Sequence, residues 1–499
     1  MADFLKSVQD RLDSPAIPYQ KVVLVVLLSV SAFESFIGSR QKPYLDPKRF
    51  PNLPAALRPF LTAPDAQDTY RKSQAYARHK ITFSSVTGVI GLLETIVLLT
   101  DVAVPALAKL GYSIGPTTTT TTTAAGRWTL LKGLWDLAGS VPGVKGSSSE
   151  LRQTAAFVCV MSVLGTVLSI PEGLYKNFVM EEKHGFNKMT YKTFFTDLVK
   201  GLGLTFALEV PGICGLVALI HWVGNDAILR LVAYVLAFST ALVLTLVPLG
   251  PYVIMPLFNT FTLLDKDHAV YPKVSALAAR VGFPCDKIYV IDGSKRSSHS
   301  NAFVTGLPGL SKQIVIYDTL LEKASVDEVE AILAHELAHW KFSHIVYLIL
   351  MALSQIAFSL SIFVLFLSNR SLLSSFGFRS TSLASNLAFP SKTATMPTGP
   401  TVISLFLAST LFSPLSAFLS FVNNSITRKL EYQADSFAVD LGGDMAKNLK
   451  TALVGIHEKN LAVYAVDPVY SAYNHNHPTL VERLEALDRR AESLAKKEK

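Results

Sequence analysis

The chain has 499 residues and a formal net charge of +8; half of its residues are apolar and only 17% are charged. The apolar residues come in blocks of about 20, the length that a helix needs to cross a hydrocarbon layer about 30 Å thick. This composition excludes an ordinary soluble protein and predicts several membrane spans. The positive charge is typical of basic cytosolic loops, and no basic stripe with interleaved aromatic residues indicates a nucleic-acid partner.

Seven apolar blocks are candidate membrane spans. They are Val22–Gly38, Ile81–Leu107, Ala155–Ile170, Phe195–Val223, Ala227–Pro256, Ile345–Ser368 and Val402–Val422. The loop from Arg40 to Lys80 is strongly basic, which predicts that it is cytosolic; with seven spans the N-terminus is then lumenal and the C-terminus cytosolic. The runs Thr117–Thr123 and Ser385–Pro400 are predicted loops.

Four ionisable residues lie within or at the ends of these blocks. A charge that faces lipid is costly, so each is predicted to face the protein interior or a water-filled cavity, or to make a polar contact between helices. They are Glu34, Glu94, Asp101 and Glu209.

Residues 335–339 read His-Glu-Leu-Ala-His within a segment of helical character, Val326–Trp340. Positions i and i+4 lie on one face of a helix, so His335 and His339 can hold one metal ion. Zinc suits two imidazoles and a carboxylate with a fourth position left for water, and Glu336 would lie beside that water as general base. The alternative is an accidental match on an exposed helix, which is rare in a chain of this size.

The segment 424–435, which follows the seventh block and looks helical, is the richest source of a third ligand. Glu431 and Asp435 share a helix face, so one can bind the metal while the other accepts a hydrogen bond from a ligating histidine. The alternative is a solvated helix with an Arg428–Glu431 ion pair. Gln433 is predicted to point elsewhere. If spans six and seven are antiparallel, the two histidines and Glu431 meet at the same membrane face.

Two further segments can contribute to a site. His477 can donate a hydrogen bond to the oxyanion that forms when water attacks a peptide carbonyl, but a helix start with Pro478 in its first turn is the favoured reading of the residues alone. The runs Ile288–Ile291 and Gln313–Tyr317 are strand-like, and Asn301–Val304 lies between them. An edge strand there would pair with an extended peptide, although an ordinary hairpin explains the pattern equally well.

Together these motifs resemble the integral-membrane zinc endopeptidases of the CAAX prenyl protease 1 family, and the resemblance covers nearly the whole chain. Its motifs are Phe178–Lys188, Pro256–Asn259, Ser294–Ala302, His335–Trp340, Glu431–Asp435, His477–Pro478 and Glu482–Leu484. One departure is Ala338, which stands where glycine is more usual in the family.

The resemblance implies a predominantly α-helical fold: a barrel of seven transmembrane helices that encloses a large chamber, with a small β-containing, gluzincin-like zinc protease domain on the cytosolic side. We divide the chain into a membrane domain (1–256), a cytosolic catalytic segment (257–343), spans six and seven (344–422) and a C-terminal catalytic segment (423–499). The implied activity removes the last three residues of prenylated C-a-a-X proteins. Fungal members also cut within the N-terminal part of a farnesylated pheromone precursor.

By matching position, the resemblance makes His335, His339 and Glu431 the ligands of one Zn²⁺ ion per chain. Glu336 becomes the general base, and Asp435 becomes the hydrogen-bond acceptor of a ligating histidine.

The resemblance also assigns His477 to stabilisation of the transition state, and Asn301 and Ala302 to an edge strand that aligns the peptide. The implied partners are prenylated C-a-a-X proteins and the lipid bilayer. Lys496 and Lys497 near the C-terminus resemble a dilysine retrieval signal, which indicates the endoplasmic reticulum membrane, with the inner nuclear membrane as a further location. A basic helix end explains this pair nearly as well.

Two other functions stay open on the sequence. One is a membrane quality-control protease that degrades misfolded or stalled chains at the same site. The other is a transporter or channel with a structural zinc; Glu336 and an open fourth position argue against it, because structural zinc sites are closed.

Overall fold

A computed structural model describes residues 2–61, 64–102, 129–147, 149–224, 228–285, 287–305, 312–367, 369–378 and 399–497. Within these ranges the chain is mainly helical and has one small mixed sheet, as predicted. The loop Thr117–Thr123 and most of Ser385–Pro400 lie outside the described residues.

Six described helices are long and apolar enough to cross a membrane, and a bent pair of helices makes a seventh crossing if it counts as one span. The six are α2 (Tyr19–Gln41), α3 (Ala66–Leu99), α5 (Glu150–Tyr175), α6 (Tyr191–Val223), α7 (Ile228–Leu249) and α12 (His344–Phe363), and the bent pair is α14 (Thr401–Leu411) with α15 (Ser413–Asp440). Helices α5 and α7 continue into π-helical turns at Lys176–Glu181 and Gly250–Ile254.

Shorter helices lie at the chain ends and between the spans. They are α1 (Ala2–Leu12), α4 (Leu130–Ser140), α8 (Met255–Phe258), α9 (Val270–Val281), α10 (Asp318–Lys323), α11 (Val326–Lys341), α13 (Arg370–Ser375), α16 (Met445–Lys459), α17 (Pro468–Asn474) and α18 (Leu480–Lys497).

The predicted seventh span, Val402–Val422, is not one straight helix. Helices α14 and α15 meet at Phe412 with a bend of 63°. In an unbroken helix Pro414 would have no N–H to donate to the carbonyl of Thr410, and its ring would clash with that carbonyl. The proline therefore ends one helix and occupies the first turn of the next.

The second span begins far earlier than predicted, because α3 starts at Ala66 inside the basic segment. The buried side chains of this extension follow a helical period, from Ala66 through Tyr70 and Gln74 to Ala77. Charged residues occupy the other face, which explains how one helix can carry both the basic loop and the start of a span.

The sheet has the strand order β1-β2-β4-β3 and lies between the fifth and sixth spans in the sequence. Its strands are β1 (Phe261–Leu263), β2 (Lys287–Ile291), β3 (Ala302–Thr305) and β4 (Gln313–Tyr317). The two predicted strands β2 and β4 pair in parallel, and β3 pairs antiparallel with β4. The segment predicted to form an edge strand is therefore at the edge of the sheet.

Buried apolar residues concentrate at the two ends of the long helices. One core surrounds the sheet and includes Val274, Ile314 and Leu333, and another joins the opposite ends of the spans and includes Leu99 and Val217. In the most apolar stretch of each of the six straight spans at most 17% of the residues are buried. Helices of a solid bundle would bury one face along their whole length. The enclosed chamber itself stays a prediction.

Candidate metal centre

Helix α11 carries the predicted motif and is fixed at both its start and its sides. Ser325 and Glu328 form a capping box, in which each side chain accepts a hydrogen bond from the backbone N–H of the other residue. The helix packs against α9, β3, α15 and α16, and Leu333 and Leu337 are fully buried. A helix held on several sides is a rigid support for side chains that must keep a fixed separation.

The structure brings His335, His339 and Glu431 together as a triangle. The Nε2 atoms of the two histidines are 3.2 Å apart. Glu431 Oε2 lies 3.4 Å from His335 Nε2, and Glu431 Oε1 lies 3.4 Å from His339 Nε2. Each of the three residues offers a ligand atom within 4.8 Å of the others.

These separations fit a tetrahedral metal ion. Two ligands about 2.05 Å from a tetrahedral zinc ion lie roughly 3.3 Å apart, close to the three distances between the side chains. Glu431 Oε2 is also buried without a hydrogen bond of acceptable geometry among the described residues, although His477 Nδ1 lies 2.8 Å away. A cation at the triangle would give this carboxylate oxygen a partner.

His335 contacts Asp435, one of the two carboxylates that share a face of α15. His335 Nδ1 lies 2.9 Å from Asp435 Oδ1. The protonated Nδ1 therefore donates a hydrogen bond to the carboxylate, and the lone pair of Nε2 faces Glu431. Asp435 is held in turn by Arg483 of α18, at 2.9 Å from Nε and 2.6 Å from Nη2. The fork-to-fork pairing fixes the plane of the carboxylate.

His339 is oriented by a second chain of hydrogen bonds, which the sequence reasoning missed. His344 Nδ1 is 2.8 Å from His339 Nδ1, and His344 Nε2 is 3.2 Å from Gln433 Oε1. An amide oxygen only accepts, so His344 Nε2 carries the proton and His344 Nδ1 accepts from His339 Nδ1. His339 Nε2 then keeps the lone pair that a metal needs.

The link between α11 and α12 explains how His344 returns to the site. Phe342 and Ser343 alone join the two helices, and Ser343 takes a left-handed backbone conformation with φ of 55°. This is an uncommon conformation for a residue with a side chain. The sharp turn places His344, the first residue of a membrane span, beside a histidine five positions earlier.

The protonation of the histidines and of Glu336 follows from burial and neighbouring charge. Burial and the adjacent His335 lower the pKa of His339 to about 4, which keeps its imidazole neutral. Burial disfavours a charged His335, but hydrogen bonds to Asp435 and Glu431 outweigh it and raise the pKa to about 9, so metal binding there releases a proton. Burial raises the pKa of the Glu336 carboxyl to about 6. A general base is most effective when its pKa lies near the pH of the reaction.

His477 lies at the open side of the triangle. Its Nδ1 is 2.8 Å from Glu431 Oε2, and 57% of its side chain is exposed. The next helix starts at Leu480, where Thr479 and Glu482 form a reciprocal capping pair. His477 is therefore not part of the cap that begins this helix.

The free edge of β3 has a defined set of backbone groups. The N–H of Tyr317 donates to the carbonyl of Asn301 at 3.1 Å, and the register pairs Phe303 with Val315. In an antiparallel ladder these positions point toward β4, so the N–H and C=O groups of Ala302 and Val304 point to the other edge. The N–H of Ala302 already donates to the side chain of Asn301 at 2.9 Å.

Two other expectations about side chains turn out differently. Arg428 does not pair with Glu431; it pairs with Glu482 at 2.8 Å, which leaves Glu431 for the triangle. Gln433 does not point away from the site, because it is the last member of the chain that orients His339. Two residues to which the sequence assigned no role also take part: Arg483 lies inside the family motif Glu482–Leu484, and His344 lies four residues after the motif His335–Trp340.

The chain matches two families over most of its length. Residues 48–260 match the family described as CAAX prenyl protease N-terminal, five membrane helices, and residues 265–491 match Peptidase family M48. It is 34% identical over 482 residues to CAAX prenyl protease 1 of Saccharomyces cerevisiae, covering 96% of this chain and 97% of the relative. The CAAX prenyl protease 1 homolog of Arabidopsis thaliana is 34% identical over 477 residues, with coverages of 95% and 98%.

The fold is similar to a solved structure as well. The crystal structure of S. mikatae Ste24p superposes with a TM-score of 0.79 at 33% identity, covering 95% of this chain and all of that one. These likenesses confirm the family resemblance that the motifs indicated.

The hydrogen-bond chain through His344 predicts a loss of metal affinity when it is cut. His344→Ala should weaken metal binding by about 10- to 100-fold, the usual effect of removing a group that orients a ligating histidine. Gln433→Ala should act in the same direction but less, because its exposed amide competes with water. Metal content after equilibration with chelators of graded affinity measures both effects.

Lys429→Ala is the matched control, because Lys429 is exposed on the same helix. If His344→Ala holds metal as tightly as the Lys429 variant, the chain through His344 does not orient the ligand.

Proposed function

This chain belongs to the CAAX prenyl protease 1 family, and we propose that it is a zinc endopeptidase that removes the last three residues of prenylated C-a-a-X proteins. The single observation that carries the proposal is the triangle of His335, His339 and Glu431, with Glu336 beside it, on a helix that leads directly into a membrane span. The names of the relatives support the substrate class.

We propose Zn²⁺ as the metal, one ion per chain, held by His335, His339 and Glu431. Two imidazoles and one carboxylate are the donor set of catalytic zinc sites that keep a position open, and the distances between the three side chains suit a tetrahedral ion. Zinc bound there would polarise the scissile carbonyl and lower the pKa of a water molecule.

The residues of the chain would move the protons. The Glu336 carboxylate takes a proton from the attacking water as its oxygen bonds to the scissile carbonyl carbon, and the carbonyl oxygen becomes an oxyanion. Glu336 then gives the proton to the leaving amine as the peptide C–N bond breaks. His477 would donate a hydrogen bond to the oxyanion. Asp435 holds His335 in the tautomer that presents Nε2.

The substrate peptide would add to the free edge of β3. Ala302 offers its carbonyl there, and Val304 offers both its N–H and its carbonyl. Asn301 would support this edge rather than pair with the peptide, because its side chain accepts a hydrogen bond from the N–H of Ala302.

The described helices and the family make this a multi-pass membrane protein. We propose the endoplasmic reticulum membrane as its location, with the inner nuclear membrane as a further one, and with the triangle and the C-terminus toward the cytosol. The basic segment from Arg40 to Lys80 and the pair Lys496 and Lys497 support this orientation and location. The distribution of a tagged chain in which both lysines are serine tests the retrieval signal, which fails if the distribution is unchanged.

Replacing Glu336 by Gln should abolish cleavage of a farnesylated C-a-a-X peptide while the metal stays bound. The amide keeps the shape of the side chain but cannot accept the proton, a loss of roughly 10²–10⁴-fold or more in rate. Turnover and metal content of the purified protein measure the two effects. Glu330→Gln on the same helix, where Glu330 faces Lys273, should cut normally.

The same assay separates two proteases that would use the same site. The wild-type chain should cut the farnesylated peptide with a much higher kcat/KM than its unprenylated counterpart. Equal values for the two peptides would favour a general membrane quality-control protease.

His477→Ala should lower kcat by about a hundred- to a thousand-fold, the usual effect of removing one donor to an oxyanion. Since His477 also contacts Glu431, metal content is measured in parallel. A loss of metal that accounts for the whole loss of rate would show that His477 only holds Glu431. An unchanged kcat would leave His477 without a role in catalysis.

If the substrate adds to β3 as a strand, N-methylation should lower its turnover at every second amide. Only alternate amides of an added strand face its neighbour. Methylating the amide that donates to the carbonyl of Ala302 should sharply reduce turnover, and methylating the next amide should matter little. Peptides that keep all side chains and the farnesyl group isolate the backbone effect. A flat response along the peptide would rule out strand addition.

A further inference from the structure

A cavity of about 760 Å³ lies between α2, α3 and α17. Its lining runs from Leu27 to Gln41 on α2 and from Ala77 to Thr95 on α3. At a rise of 1.5 Å per residue these stretches are roughly 20 and 27 Å long. The cavity is therefore elongated along two membrane-spanning helices, and its volume lies within the range of about 300–1,000 Å³ typical of ligand pockets.

The two ends of the cavity differ in chemistry. Away from α17 most of the lining is apolar, with Leu27, Val30, Val89 and Leu92, and it also includes Ser31 and Thr95. Toward α17 it is polar, with Glu34, Lys80, Tyr470, Tyr473, Asn474 and His475. The Lys80 ammonium at this end rests over the Tyr76 ring, 4.1 Å from its centroid. An amphipathic ligand with its apolar part along the helices and its polar part at α17 matches this division.

Glycines keep the cavity open on α3. A Cβ atom built on Gly88 or on Gly91 would meet no heavy atom within 4 Å, and the same holds for Gly38 on α2. All three line the cavity. In a well-packed interface between helices small residues allow close contact, whereas here they face open space.

The polar end of the cavity lies close in the chain to a residue that contacts the triangle. His475 lines the cavity, and two residues later His477 Nδ1 lies 2.8 Å from Glu431 Oε2. Two residues span at most about 7 Å of chain. Helix α17 is also tied to the membrane helices, since Arg40 of α2 pairs with its N-cap Asp467 through two hydrogen bonds of 3.0 Å.

We propose that this cavity holds the prenyl chain of the substrate, an inference that rests on the proposed function. Removal of three residues after the prenylated cysteine makes that cysteine the residue directly before the scissile bond. The thioether sulfur of that cysteine therefore lies within one side-chain length of the reacting carbonyl. The cavity begins at His475, two residues from His477, and its apolar end accepts an isoprenoid chain laid along α2 and α3.

Filling the apolar end tests the proposal. Gly88→Leu and Gly91→Leu place a side chain in the open space, and they should lower kcat/KM for a farnesylated C-a-a-X peptide by about tenfold or more. Each methylene that can no longer be buried costs a factor of roughly four. For the same peptide with the shorter geranyl chain, kcat/KM should fall less in these variants. For the unprenylated peptide, the variants and the wild type should have the same kcat/KM.

Gly165→Leu and Gly203→Leu are matched controls, because these glycines of α5 and α6 also face open space but do not line the cavity. They should leave the ratio of farnesyl to geranyl turnover unchanged. Equal losses for all three peptides in the Gly88 variant, or no loss for any of them, would overturn the assignment of the cavity.

Crosslinking of the unmodified protein gives a second readout that does not depend on the folding of a variant. A farnesyl analogue with a photoreactive group at its far end should label residues near Leu27, Val30, Val89 or Leu92. Labelling confined to other helices would overturn the proposal. A wild-type chain that cuts prenylated and unprenylated peptides equally would instead contradict the proposed function, whatever the cavity variants do.

Discussion

Helices α11 and α15 lie side by side, and their contact sets the distance between two histidines on one helix and a carboxylate on the other. The spacing of His335 and His339 follows from helix geometry alone, but the third corner of the triangle depends on tertiary packing. Ala334 of α11 and Ala438 of α15 are fully buried in the same core, and side chains of this size allow helix axes to approach closely. The sheet, α9 and α16 hold α11 from the other sides.

The parts of the site that the sequence predicted are those encoded by local periodicity. The His-Glu-x-x-His spacing fixes one face of α11, and Glu431 and Asp435 fix one face of α15. The order of the spans predicted that these two helix faces meet. A helix that leads into one span and a helix that leaves the next span can lie at the same membrane face. The family resemblance then selected Glu431 as the ligand, a choice that spacing alone left open.

The parts that were missed depend on contacts between residues far apart in the chain. Gln433 reaches His344 across 89 positions, and Arg483 reaches the neighbourhood of His335 across 148. No periodicity encodes such a pairing. The bend at Phe412 was missed for a different reason: hydropathy is continuous across Pro414, so an apolar block of sufficient length reads as one span even where a proline interrupts the helix.

The membrane helices and the site are coupled through α17. Gln41 at the end of α2 accepts a hydrogen bond from the N–H of Asp467 and donates one to the carbonyl of Ala465. Arg428 of α15 reaches both Ser471 of α17 and Glu482 of α18. The segment that carries His475 and His477 is thus fastened to a spanning helix and to the helix of Glu431. A substrate anchored in the bilayer can meet the reacting groups without a separate docking surface far from the membrane.

Charge balance among the buried groups argues for the valence of the proposed metal. Glu336, Glu431 and Asp435 bring three carboxylates into one cluster, and Arg483 supplies one positive charge against them. The two histidines would bind the metal as neutral imidazoles, because each presents a lone pair at Nε2 while its Nδ1 donates a hydrogen bond to Asp435 or to His344. With both histidines neutral, these groups carry two more negative charges than positive ones, and leaving buried charges uncompensated is strongly destabilising. Without a metal, a proton on His335, whose pKa is raised to about 9, offsets one of them. A divalent cation at the triangle would replace that proton and offset both charges, so the ion that would activate water would also stabilise the packing of α11 against α15.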